Sequence, residues 1–135
     1  MNQFPTWEED IKKGNRFKFG RNWLNFVDNI SDLQIEEAKK SLIHLVNVDN
    51  LKGKTFLDIG CGSGLMSLVA RKMGAKVVSF DFDRNSVCCT KLLKEKFLPG
   101  DNEWHIEEGS ILDTTYLKNI EEFDIVYSWG VLHHS

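Results

Sequence analysis

Thr55-Phe56-Leu57-Asp58-Ile59-Gly60-Cys61-Gly62-Ser63-Gly64 is the stretch that decides the fold of this 135-residue chain. Its first half is short, rich in β-formers and almost continuously apolar, the pattern of a strand covered on both faces. Its second half alternates glycine with small residues, which lets the backbone turn sharply and come close to a ligand. Leu65, Leu68, Val69 and Lys72 then share one side of a helical stretch, and Gly74 stands where a helix C-terminal cap belongs. Together these make a strand, a tight turn and a helix. The helix start beyond the glycines offers unpaired N–H groups and partial positive charge, so the turn suits an anionic group.

The same unit recurs on the C-terminal side. Lys76–Asp81 reads as a second buried strand, followed by a helix from about 85 to 97 that ends before Pro99-Gly100. Trp104–Glu108 is a third, more alternating strand and Phe123–Ser128 a fourth, with a short helix or turn around 114–121 between them. On the N-terminal side, Ser31-Asp32-Leu33-Gln34 has the form of a capping box and predicts a helix from about 32 to 46, with Ile35, Ala38, Leu42 and Leu45 on its apolar stripe. Strands alternating with helices imply an α/β protein with a doubly wound parallel sheet and helices on both faces. Residues 1–30, aromatic and without sustained periodicity, are expected to form a cap on a main domain spanning 31–135. The sequence stops just after the fourth strand, before another covering helix could form. This predicts a fragment whose fold is incomplete on its C-terminal side and which self-associates through an exposed fourth-strand edge.

Composition narrows the function classes. Seventeen basic against 20 acidic residues give a net charge of −3, which leaves no excess positive charge to neutralise a phosphate backbone and argues against nucleic acid as a partner. No apolar run approaches the roughly 18 residues that a membrane-spanning helix needs. The charged N-terminus does not resemble a secretory signal, and three cysteines without CxxC spacing read as free thiols, so a cytoplasmic protein without a cysteine-bound metal is expected.

Spacing decides which ligand the glycine turn suits. The dinucleotide pattern G-x-G-x-x-G/A meets Leu65 when started at Gly60 and Ser67 when started at Gly62, so both frames fail. The phosphate loop of nucleotide triphosphatases needs Gly-Lys followed by Ser or Thr, which this chain lacks. What remains is D-x-G-x-G-x-G opened by a carboxylate at Asp58, which suits an amine beside a carboxylate better than a pyrophosphate. An amino-acid end group is indicated.

Phe56–Gly64 resembles the first motif of the class I S-adenosylmethionine-dependent methyltransferases, a Rossmann-like fold, and three further motifs follow in order. Asp81 resembles the family acid that holds both ribose hydroxyls, a role a carboxylate can fill because it accepts from two vicinal donors. The resemblance sets Phe82 against the adenine, with ordinary packing the alternative. Gly109-Ser110-Ile111-Leu112-Asp113 resembles the third-strand loop that frames the base, with Ser110 as a polar and Ile111 as an apolar contact. Phe123–His134 resembles the fourth strand and the loop near the sulfonium, which brings in Ser128 and Trp129. Leu132-His133-His134 is similar to the branch of ubiquinone- and menaquinone-biosynthesis methyltransferases, implying a small-molecule acceptor, with His134 a candidate general base or simply a structural histidine.

The cofactor set implied by this resemblance is thus Asp58, Gly60, Cys61, Gly62, Ser63, Gly64, Asp81, Phe82, Ser110, Ile111, Ser128 and Trp129, with no metal. Cys61 reads as a small filler, since nothing near it in sequence would activate a thiolate. Asp83 reads as a solvated carboxylate or a cap on the next helix. The implied activity is methyl transfer from S-adenosylmethionine, leaving S-adenosylhomocysteine. A regulatory module that binds the cofactor without catalysis is the rival, and a nicotinamide oxidoreductase is disfavoured by Leu65 and Ser67.

Overall fold

The computed structural model describes residues 25–109, 122–128 and 131–134, the last segment as backbone. Residues 25–29 are helical. The elements that follow are α1 (Asp32–Val46), β1 (Thr55–Ile59), α2 (Leu65–Lys72), β2 (Lys76–Asp81), α3 (Arg84–Phe97), β3 (Trp104–Glu108), β4 (Ile125–Ser128) and β5 (Val131–His134). The turn expected around 114–121 and residues 1–24 of the N-terminal cap lie outside the described residues.

Local chemistry sets the helix ends. The capping box of α1 is formed: the Gln34 N–H donates to Ser31 Oγ at 3.2 Å and the Ser31 N–H to Gln34 Oε1 at 2.9 Å. Its buried stripe runs Ile35, Ala38, Leu42 and Val46, whereas Leu45 is 44% exposed; the four-residue step from Leu42 continues the inward face and the three-residue step leaves it. Helix α2 ends in a Schellman motif, with the Gly74 N–H donating to Arg71 O at 3.0 Å and the Ala75 N–H to Ala70 O at 3.1 Å. Gly74 has φ +105°, and a Cβ there would stand 3.1 Å from the Lys52 Cα, so glycine is required both by conformation and by space.

The sheet order is β3-β2-β1-β4-β5. Strands β1 to β4 are mutually parallel neighbours, as expected. Side chains alternate across the sheet with a period of two. Phe56, Val77, Trp104 and Ile125 join the large core under α1, α2 and α3, while Leu57, Ile59, Phe80 and Val126 form a smaller cluster on the other face. Part of the expected N-terminal cap belongs to the same core, since Val27 and Ile30 are buried in it and Lys96 Nζ of α3 donates to Val27 O at 2.7 Å.

The segment after β4 departs from the expected loop. Val131–His134 turns back as β5, antiparallel to β4, with Ser128 opposite Val131 and Ile125 opposite His134. The exposed fourth-strand edge is therefore corrected: β5 occupies it, and the expected self-association there loses its basis. The physical reason lies in the sequence, because only Trp129 and Gly130 separate the paired Ser128 and Val131, and a two-residue connection joins antiparallel neighbours.

Candidate functional site

The chain runs from β1 outward through β2 and β3, then returns to the other side of β1 as β4. This reversal makes a switch point at the carboxyl ends of β1 and β4, where open α/β sheets hold their ligands. The glycine turn Gly60–Gly64 stands there. It is tied down from two sides: the Gly60 and Cys61 N–H groups both donate to Phe80 O, at 2.8 and 3.1 Å, and Thr90 Oγ1 of α3 donates to Gly62 O at 3.2 Å.

The three glycines do different things. All have positive φ, +73° at Gly60, +56° at Gly62 and +86° at Gly64. A Cβ on Gly64 would lie 2.8 Å from Thr90 Cγ2 and Oγ1, so this glycine lets α3 pack against the turn. A Cβ on Gly62 would meet nothing within 4 Å, which leaves an open approach to the backbone. Gly64 also opens α2 without a side-chain cap, leaving the helix start uncapped from its own N-cap residue.

Asp81 ends β2 beside this turn and is 8% exposed. Its Oδ2 accepts from the Gly62 N–H at 3.1 Å and its Oδ1 from the Asp83 N–H at 2.9 Å. Each oxygen has further lone-pair capacity, which is what a vicinal diol requires. Phe82 follows with 47% of its surface exposed. Asp83 caps α3, accepting the Asn85 N–H at 2.9 Å, in agreement with the cap reading. Asn85 is buried and its Oδ1 has no partner among the described residues, a second acceptor at the β2–α3 turn. Ser128 is buried at the end of β4, level with Ile59.

Asp58 lies below the turn rather than in the crevice. It is 1% exposed, and its Oδ2 accepts from Ser67 Oγ at 2.5 Å. Burial pushes its pKa up to about 7, against the Ser67 hydrogen bond and with help from the Asp81 charge. Cys61 is also buried, its Sγ 3.3 Å from Thr90 Oγ1, and burial pushes its pKa up to about 12, so it packs as the small filler expected and offers no thiolate at neutral pH. Ser63 is partly buried in the turn, where its Oγ accepts from the Leu65 N–H at 3.4 Å.

The structure thus gathers Gly60, Cys61, Gly62, Ser63, Gly64, Asp81, Phe82 and Ser128 at the carboxyl ends of β1, β2 and β4, with Asp58 beneath the turn. Ser110, Ile111 and Trp129 lie outside the described residues. His134 is not brought to the site by its backbone: it pairs with Ile125, at the opposite end of β4 from Ser128. Sequence reasoning missed Thr90, which anchors the turn, and Ser67. Both are polar residues on otherwise buried helix faces, and that contradiction of pattern was the available signal.

Comparison with known proteins supplies the class. The family described as methyltransferase domain matches residues 31–135, and a ribosomal protein L11 methyltransferase of Agathobacter rectalis is 38% identical over 139 residues, covering 90% of this chain and 39% of that relative. The chain belongs to the methyltransferase domain family. Another relative is the tRNA U34 carboxymethyltransferase of Pseudoalteromonas translucida, 37% identical over 67% of this chain and 27% of its own length. Among solved methyltransferases, the magnesium protoporphyrin IX methyltransferase of Synechocystis PCC 6803 with bound S-adenosylmethionine superposes with a TM-score of 0.57 over 81% of this chain and 55% of that one. At 18% identity this likeness speaks for the class I methyltransferase fold alone. The chain spans well under half the length of both curated relatives.

Proposed function

We propose that this chain carries the cofactor half of an S-adenosylmethionine-dependent methyltransferase whose acceptor is a small molecule. The observation that carries the reading is Asp81: an acceptor-only carboxylate at the end of β2, beside the open face of Gly62 at the switch point. The crevice suits a ligand that is a diol at one end and an amino acid at the other. Asp81 would take the two ribose hydroxyls, Phe82 and the segment containing Ser110 and Ile111 the base, and the turn with Asp58 beneath it the amino-acid end. Ser128 and Trp129 would border the region between them.

When bound, S-adenosylmethionine supplies a methyl group already activated on a sulfonium. The chain's own residues then have to bind, align and exclude water, a matter of proximity and orientation. No general base is assigned here, because the register carries the His134 backbone away from the turn. The acidic balance of the chain, net −3, favours a small acceptor over a nucleic acid. The relatives that act on ribosomal protein L11 and on tRNA make those the competing acceptors to assay.

Isothermal titration with S-adenosylhomocysteine and with NAD tests the cofactor assignment. Binding of the first and not the second is expected, and the reverse would overturn it. Transfer of labelled methyl to phenolic and quinol acceptors, against L11 and tRNA, tests the acceptor. Cofactor binding without turnover on any of them, in a protein that spans the full length of these relatives, would favour the regulatory-module reading.

A further inference from the structure

A chain of hydrogen bonds runs through the core from β3 to the residue beneath the glycine turn. Trp104 Nε1 donates to Ser79 Oγ at 2.9 Å, Ser79 Oγ and Ser67 Oγ are 2.6 Å apart, and Ser67 Oγ donates to Asp58 Oδ2 at 2.5 Å. It crosses β3, β2, α2 and β1, and none of its four members is more than 2% exposed. Sheet register explains the assembly, since Asp58 stands beside Ser79 on the face that α2 covers and Trp104 stands diagonally from Ser79 on the next strand. Nothing in cofactor contact or in apolar packing calls for two buried serines and an indole N–H in line behind a carboxylate.

Donor chemistry gives the chain a direction. An indole N–H only donates, so Ser79 must accept from Trp104. With Asp58 ionised, every remaining proton points the same way: Ser79 donates to Ser67 and Ser67 to the carboxylate. With Asp58 protonated on Oδ2, that O–H donates to Ser67 and Ser67 to Ser79, which then accepts twice and must turn its proton elsewhere. The two charge states of Asp58 therefore correspond to two proton orders, and polarisation along such a chain strengthens or weakens its end bond.

We propose that Ser67, Ser79 and Trp104 are positioning residues for Asp58, forming a proton-ordered relay that fixes the carboxyl under the glycine turn and makes the turn's preference for a cationic group, such as the ammonium of an amino-acid ligand, depend on pH. The ligand part rests on the cofactor reading above; the relay itself does not. Asp81 from β2 acts on Asp58 electrostatically, Asp58 in turn acts on Tyr127 from β4 and on Cys61 in the turn, and α2 faces it with the Ser67 hydroxyl. Burial holds Asp58 near a pKa of about 7, which puts the change of proton order in the neutral range.

The test follows the four indole N–H resonances of the ¹⁵N-labelled 135-residue chain from pH 5 to 9, with Trp104 assigned by Trp104→Phe. The Trp104 resonance should titrate with a midpoint near the Asp58 pKa of about 7. The titration should vanish in Asp58→Asn, and also in Ser67→Ala, where the carboxyl is kept and the relay cut. Ser79→Ala cuts it at a second place should Ser67→Ala fail to fold. A pH-independent Trp104 resonance, or an unchanged titration in the cut variants, would overturn the relay. In parallel, S-adenosylhomocysteine should bind the wild type about tenfold more tightly at pH 8 than at pH 6, the ratio of ionised Asp58 at the two pH values, with this dependence altered in the cut variants. A titrating indole with no binding at either pH would overturn the cofactor reading and the pH-dependent preference, while the relay stands on the resonance.

Discussion

Replacing Asp58 with asparagine should change the stability of the chain by an amount that depends on pH. The wild-type carboxyl is 1% exposed and its pKa is raised from 3.8 to about 7, chiefly by burial. A raised carboxyl pKa means that the native state binds the proton more tightly than the unfolded chain does. The stability that this contributes is full below the unfolded value of 3.8 and is lost as pH rises toward about 7. At about 1.4 kcal/mol for each pH unit that separates the native and unfolded pKa values, the loss between pH 5 and pH 8 is about 2–3 kcal/mol, an order-of-magnitude figure. Asp58→Asn removes the titration and keeps the shape, so the difference in unfolding free energy between variant and wild type should move in the variant's favour by that amount from pH 5 to pH 8. Urea denaturation of both proteins at pH 5, 6, 7 and 8 measures it, and comparing the two at each pH cancels the other titrating groups. A difference that stays flat across the range, or moves in the wild type's favour, would refute the reasoning.

Gly64→Ala should destabilise by about 1–3 kcal/mol through its positive φ and the contact with Thr90, and in Thr90→Ala the same substitution should cost less; a double-mutant cycle in urea reads the coupling. Gly62→Val should abolish binding of S-adenosylhomocysteine by calorimetry while circular dichroism still shows an α/β fold, because its side chain would fill open space rather than core. Asp124 accepts the Thr55 N–H at 2.8 Å, and that hydrogen bond holds its pKa below the usual carboxylate value. The stability it contributes is present at neutral pH and lost as pH falls through the acid range, so wild type and Asp124→Ala should converge in stability on acidification.

Most of the fold could be read from residue order because local and long-range preferences agree. The Ser31–Gln34 capping box, the glycine after α2 and the apolar runs at Thr55–Ile59 and Lys76–Asp81 each specify what the core also demands. The fourth strand begins two residues later than its apolar run, since the Asp124 carboxylate is taken up by Thr55 before the ladder starts. The return of Val131–His134 as β5 was hidden because Trp129-Gly130 reads equally well as the start of a loop. For the site, glycine spacing revealed a turn but not which glycine serves packing and which leaves an opening. That distinction belongs to Thr90, which is 26 positions from Gly64 in sequence and touches it only in the fold. The inward turn of Asp58 was equally hidden, because Ser67, which donates to it, and Ser79, which pairs with Ser67, lie on other elements and carry no motif of their own.

The central claim is that this chain holds S-adenosylmethionine by its ribose at Asp81. Calorimetric titration of S-adenosylhomocysteine into the wild type and into Asp81→Ala, under the same conditions, tests it most directly. Loss of two charge-assisted hydrogen bonds, each worth about 1.5–3 kcal/mol, should weaken binding by at least a hundredfold. Equal affinity of the two proteins, or no heat of binding to a folded wild type, would contradict the assignment.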